Sequence, residues 1–352
     1  MPNTIQITRP DDWHIHVRSG AILETVVPHS ARCFGRIMVM PNIVPPVCVA
    51  TRADEYRNEI LAASGGATHF NPLMSLYLTD NTSPEDVLAA DKNPNIVGFK
   101  LYPAGATTNS DSGVTSVSRI MSILEAIAST GLVLQVHGEV TDPNVDVFDR
   151  EAEFIDQVLE PLRREIPELR IVFEHITTRQ GVEFVRSAGD NVGATITPQH
   201  LMFSRNDMFS GGIRPHYYCL PILKRHEQRI SLLDAATGGD TSFFLGTDSA
   251  PHTKNNKESS CGCAGIYSAH AAIELYTEVF EAMDALDRLE AFASFHGADF
   301  YRRPRNTDKI TLERIDWEIP KNYPVTGQKE ADPIVPLRAG ELMRWRLLTE
   351  TD

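Results

Sequence analysis

No apolar run in this sequence approaches the roughly 18 residues that a membrane-spanning helix requires, so no membrane partner is expected. Positive charge is scarce: 33 Lys and Arg against 47 Asp and Glu leave a net charge of −14. An acidic surface repels nucleic acid and anionic membranes alike, which argues against both as partners. A small anionic substrate stays open if basic groups gather in a site. Cysteine is sparse and odd in number, namely Cys33, Cys48, Cys219, Cys261 and Cys263. That is the usage of reduced thiols in a cytoplasmic protein, not of a disulfide framework. Cys261 and Cys263 look like half of a thiolate metal site, but no second pair completes four ligands, and they read as a tight loop. The opening Met1-Pro2-Asn3-Thr4-Ile5 is neither basic nor strongly apolar, so no secretory signal is expected. No glycine-rich phosphate loop precedes a helix, and no G-x-S-x-G nucleophile elbow is present.

What the chain does contain is alternation. Short apolar runs at 13–17, 36–40, 71–78, 96–101, 132–137, 170–175, 192–197 and 243–247 read as eight strands. Most are near-continuously apolar, as parallel strands buried on both faces should be. Amphipathic segments at 53–63, 83–91, 116–129, 149–164, 179–187, 224–236 and 268–283 read as helices between them. Ser83-Pro84-Glu85-Asp86 and Asp149-Arg150-Glu151 supply capping residues and first-turn acids. Eight strands with intervening helices favour an α/β fold of the (β/α)8 TIM-barrel type over a doubly wound sheet. The length of 352 residues suits one such domain over 1–352, with the Pro- and charge-rich stretch from about 302 as a C-terminal appendage.

A barrel gives several polar residues a common address, because the C-terminal strand ends converge on one mouth. His14 and His16, in Asp11-Asp12-Trp13-His14-Ile15-His16-Val17-Arg18, are two apart and share a strand face, which makes half of a first-row metal site. Lys100 ends the fourth apolar run, His137 the fifth and His175 the sixth, while Asp248 follows the eighth. Singly, each histidine reads more simply as a hydrogen-bonded core residue; together they point to metal ligation. Lys100 is flanked by Val97, Phe99 and Leu101. It is either paired with a buried acid or desolvated into a neutral amine able to add CO2 and become a carbamate ligand. Asp248, followed closely by His252, is either a turn cap or a ligand and general base.

With these segments assembled, the chain resembles the amidohydrolase superfamily and, within it, the shorter stand-alone dihydroorotases of bacteria. The carrying stretches are 11–18, Met40-Pro41-Asn42, Lys100-Leu101-Tyr102-Pro103-Ala104, Ala106-Thr107-Thr108-Asn109, Val136-His137-Gly138-Glu139, Phe173-Glu174-His175, Ile196-Thr197-Pro198-Gln199-His200, Cys219-Leu220-Pro221 and Gly246-Thr247-Asp248-Ser249-Ala250-Pro251-His252. The resemblance covers nearly the whole length. Many relatives carry a β-sandwich built from both termini, whereas only 13 residues precede His14 here.

The resemblance implies reversible cyclisation of N-carbamoyl-L-aspartate to L-dihydroorotate in pyrimidine synthesis, by a cytoplasmic homodimer with two zinc ions per subunit. His14, His16 and Asp248 would hold one zinc, His137 and His175 the other, and carboxylated Lys100 would bridge them. Asp248 would be the catalytic acid and base. Arg18, Asn42 and His252 would grip the substrate carboxylate, with His137 also contacting substrate. Backbone groups of Leu220 and Ala264 would read the ring edge, and Thr107 and Thr108 would form a mobile flap. The alternatives are another binuclear cyclic amidohydrolase, such as a hydantoinase, which need not place Arg18 beside the histidine pair, and a non-catalytic homologue acting as a scaffold, which should have lost a ligand.

Overall fold

The computed structural model describes residues 3–325, 327 and 332–348. The eight strands are β1 (Asp11–Ile15), β2 (Arg36–Val39), β3 (Asn71–Tyr77), β4 (Ile96–Leu101), β5 (Val133–Val136), β6 (Arg170–Phe173), β7 (Val192–Ile196) and β8 (Phe243–Leu245). They pair in parallel in sequential order. The ring closes just past the strand ends, where Asp248 N donates to His14 O at 2.8 Å and His16 N to Ser249 O at 2.9 Å. The fold is therefore a (β/α)8 barrel. Its strands are buried on both faces because helices cover the outside and side chains fill the inside. Trp13, Met38, Leu73, Val97, Val133, Val172 and Phe244 pack together as the inner layer beneath the mouth. Trp13 stacks on Tyr301 with ring centroids 4.4 Å apart and forms the floor.

The helices depart from the sequence reading in instructive places. Gly20–Cys33 is helical although the sequence pattern did not mark it. It carries Pro28 internally, β-branched Val26 and Val27, and no side-chain cap, all of which depress local helix propensity. Packing of Leu23, Val26, Val27 and Ala31 into the core overrides that preference. The segment expected at 149–164 is Arg150–Phe154, a π turn at Ile155–Leu159, then Glu160–Glu165. Pro84–Asp91 begins with the capping box that Ser83 and Asp86 imply.

Segments near both termini share a small three-stranded sheet beside the barrel. Thr4–Thr8 pairs antiparallel with Lys309–Glu313, which pairs in turn with Arg346–Leu347. The stretch after 302 also braces the mouth: Thr253 and Ile334 form an antiparallel bridge, and Lys254 N donates to Pro333 O at 2.8 Å.

Candidate active site

The strand ends bring the predicted ligands into one buried cluster. His16 Nε2 lies 3.2 Å and His14 Nε2 3.4 Å from Asp248 Oδ1. The His14 and His175 rings are 4.9 Å apart, as are those of His137 and His175. Lys100 is fully buried, with Nζ 5.0 Å from the Tyr102 ring centre. Burial depresses its pKa to about 8, against the opposing pull of Glu174 and Asp248. Burial, reinforced by the charge of Lys100, holds His14 and His175 well below the ordinary histidine range, so both rings are neutral. Burial opposes ionisation of Asp248, but its close contacts with His16 and His14 and the nearby charge of Lys100 outweigh it and bring its pKa to about 2.

Carboxylates that sequence reasoning passed over aim these rings. Glu174 Oε2 meets His14 Nδ1 at 2.8 Å and accepts from Thr195 Oγ1 at 2.6 Å. That fixes Nε2 of His14 as the nitrogen turned to the cluster. Glu139 Oε2 does the same for His137, at 2.9 Å from Nε2. Asn42 Oδ1 lies 2.7 Å from His16 Nδ1. Such outer partners set the tautomer and direction of a metal-ligating imidazole. Asp12 works on the backbone: it accepts from His14 N, Thr247 N and Thr247 Oγ1, fastening β1 to the turn that carries Asp248. The sequence signal for these acids was their place in the stretches that carry the family resemblance, each a charged residue beside an apolar run.

Three site residues hold left-handed backbone that non-glycine residues rarely adopt: Arg18 at φ 59°, His175 at 40° and Asp248 at 44°. Each costs on the order of 1–3 kcal/mol and persists because the surroundings over-determine it. For Asp248 the bond to His14 O does so, and for His175 a 2.7 Å bond from its N–H to Thr195 Oγ1.

Above the cluster lies a narrow cavity lined by His16, Arg18, Asn42, Thr107, Thr108, His137, His175, Leu220, Asp248 and Ala264 among others. All the predicted contact residues except His252 line it directly. His252 stands behind Arg18, with Nη2 2.9 Å from its Nε2. Arg18 Nε donates to Pro251 O at 3.0 Å. The 107–108 tip is seated over the cavity: Thr108 Oγ1 donates to Ala264 O at 3.3 Å and Asn42 Nδ2 to Thr108 O at 3.0 Å. Both ends of the Asn42 amide are thus engaged. The loop is anchored by buried Ala106 and Ser110, more firmly than its small polar composition predicts.

The donor set fits metal ions. Among the described residues, buried His14 Nε2, Lys100 Nζ and His175 Nδ1 have no hydrogen-bond partner. Orphaned buried polar atoms cost about 1–3 kcal/mol each, so their convergence calls for a ligand. One ligand atom from each of His14, His16 and Asp248 lies within 4.8 Å of the others.

The sequence profile of the amidohydrolase family matches residues 7–313. The dihydroorotase of Methylobacillus flagellatus is 59% identical over 347 residues, spanning 99% of each chain. The chain belongs to the dihydroorotase branch of the amidohydrolase family. Solved dihydroorotases share the architecture throughout. That of Campylobacter jejuni superposes with a TM-score of 0.89 at 34% identity, covering 99% of this chain and 98% of that one. The Saccharomyces cerevisiae dihydroorotase, solved with 5-fluoroorotic acid, gives 0.89 at 31% identity and 99% coverage of both. Family membership makes the chain a hydrolase, and among the described residues no helix is long and apolar enough to cross a membrane.

Proposed function

We propose that this chain is a zinc-dependent dihydroorotase interconverting N-carbamoyl-L-aspartate and L-dihydroorotate, a step of pyrimidine synthesis. The observation that carries it is the meeting, in the lining of one cavity, of the metal donors His16, His137, His175 and Asp248 with the Arg18 guanidinium. A hydantoinase needs the donors but not a cation beside them to receive a substrate carboxylate, and a scaffold needs neither. His14, His16 and Asp248 would hold one zinc ion and His137 and His175 a second. Zinc bound there supplies Lewis acidity, lowering the pKa of water towards roughly 7 and polarising a carbonyl.

The protein's own groups do the rest. The neutral fraction of the Lys100 amine adds CO2, forming an N–C bond and releasing a proton, and the resulting carbamate offers two oxygens to bridge the donor sets. Asp248, held ionised by its neighbours, takes a proton from the attacking water and passes it to the departing ring nitrogen; in ring closure it carries the proton the other way. Arg18, backed by His252, forms charge-assisted bonds to the substrate carboxylate. Asn42 joins that grip when the 107–108 tip, to which it is bonded, moves. His137 and the backbone of Leu220 and Ala264 face the substrate, and Thr107 and Thr108 close over it and exclude water. N-carbamoyl-aspartate carries one more carboxylate than dihydroorotate, so closure consumes a proton and is favoured by falling pH. A cytoplasmic homodimer, with the tail from about 302 working as part of a single domain, completes the proposal. Bound metal and turnover of L-dihydroorotate, measured on one preparation, test it. Zinc-loaded protein that opens hydantoins but leaves L-dihydroorotate untouched refutes it in favour of the hydantoinase alternative.

A further inference from the structure

Behind the cavity edge that carries Ala264, a cation outside the proposed donor set is enclosed. Lys257 ends the short helix Lys254–Lys257 and is 3% exposed. Its Nζ stands 2.7 Å from each of three backbone carbonyls, those of Tyr218, Cys263 and Gly265. A carbonyl only accepts, and a neutral amine has two hydrogens to give, so three such contacts require the ammonium. Among the described residues no carboxylate lies within ion-pair distance of it. An enclosed ammonium without a counter-ion is costly, and its three carbonyl partners show what it sustains.

Those carbonyls belong to two irregular segments, 218–220 and 261–265, which carry Leu220 and Ala264 into the cavity lining. One backbone bond joins them directly, from Gly265 N to Tyr218 O at 3.0 Å, while Cys263 N donates to Asn256 O of the helix at 3.2 Å. Gly265 sits at φ 149°, and a Cβ there would lie 2.5 Å from Ala250 O, so the segment has no room to shift towards that neighbour. From behind, the tail braces the helix through Lys254 N to Pro333 O and Asn255 N to Asp332 Oδ1, both 2.8 Å.

We propose that Lys257 is a positioning residue for substrate: its ammonium ties the two segments into one edge and sets the backbone of Leu220 and Ala264 at the spacing that receives the substrate ring. Its uncompensated charge also adds to that of Arg18 in drawing an anionic substrate. The inference rests on the proposed dihydroorotase reaction. Burial lowers the Lys257 pKa to about 8, which leaves the group mostly charged near neutrality.

The test uses the full-length, metal-loaded protein with Lys257→Met. The KM for L-dihydroorotate should rise at least tenfold while kcat changes less than threefold and metal content is unchanged. A merely structural role would instead lower the active fraction, and so kcat, at a native KM. Native KM in Lys257→Met, or a loss confined to kcat, overturns the inference. Should Lys257→Met not be recovered folded, Lys257→Gln restores two of the three donors without charge; its KM should rise at least threefold, and a native KM again overturns the inference. A wild-type protein that does not turn over L-dihydroorotate would fail the underlying reaction instead.

Discussion

Replacing Arg18 by methionine isolates the carboxylate grip from the metal centre. The guanidinium has five N–H groups. One donates from Nε to Pro251 O and one from Nη2 to His252, so three remain for a ligand in the cavity. Methionine keeps most of the stem volume and removes every donor and the charge. Losing one partner of a desolvated charged pair costs about 2–5 kcal/mol, or roughly 30- to 5,000-fold at 1.36 kcal/mol per decade. Arg18 is only partly buried, and residual solvent weakens the pair, so the lower end applies: about 30- to 200-fold in kcat/KM. The substrate carboxylate keeps its charge through the reaction, so the grip is equal in ground and transition states and the loss should fall mainly on KM. Initial rates of L-dihydroorotate opening, with metal analysis and a thermal melt on the same sample, check this. Metal content should be unchanged. A kcat/KM within threefold of wild type refutes the clamp, and a variant that loses zinc places Arg18 in support of the metal centre instead.

Lys100→Ala should lose the shared anionic ligand and most activity, and small carboxylic acids added to it should partly restore turnover; a near-native rate with full metal content sinks the carbamate. Glu174→Gln should weaken metal binding about 10- to 100-fold in chelator competition, because the acid that orients His14 is gone, and an unchanged affinity would show that it does not aim the ligand. Alanine at both Thr107 and Thr108 should slow turnover with the metal centre intact, and proteolysis of the 105–113 loop should be slower with ligand than without; equal cleavage counts against a flap. His270 is buried away from the cavity, and burial lowers its pKa to about 3. Its unfolded form takes up a proton below about 6.5 while the folded form does not, so stability is full above that pH and falls as pH drops towards 3. By pH 5 the loss is about 1.36 × 1.5, or roughly 2 kcal/mol. Denaturant melts of His270→Phe at pH 7 and pH 5, with metal saturating, should show that much less acid sensitivity than wild type, and equal sensitivity refutes it.

The eight strands were legible because burial on both faces writes itself locally, as continuous apolar runs between amphipathic segments. His14, His16 and Lys100 were legible for the complementary reason: ionisable residues in or beside such runs need a partner the run does not provide. Helix Gly20–Cys33 was not, because Pro28, Val26 and Val27 argue against a helix over short range while the core they pack against comes from distant strands. Glu174 and Asp12 were invisible as positioning groups since their partners lie 160 and 235 residues away. Lys257 gave no sign at all, because what it holds are backbone carbonyls, and every residue has one. Local periodicity determined the class of fold and the chemistry available to it. Which nitrogen of His14 faces the cluster and where Asp248 lies against His14 and His16 were decided only when the strands came together in the barrel. Hydrogen bonds reach about 3 Å, and nothing in the order of residues specifies that distance until the barrel closes.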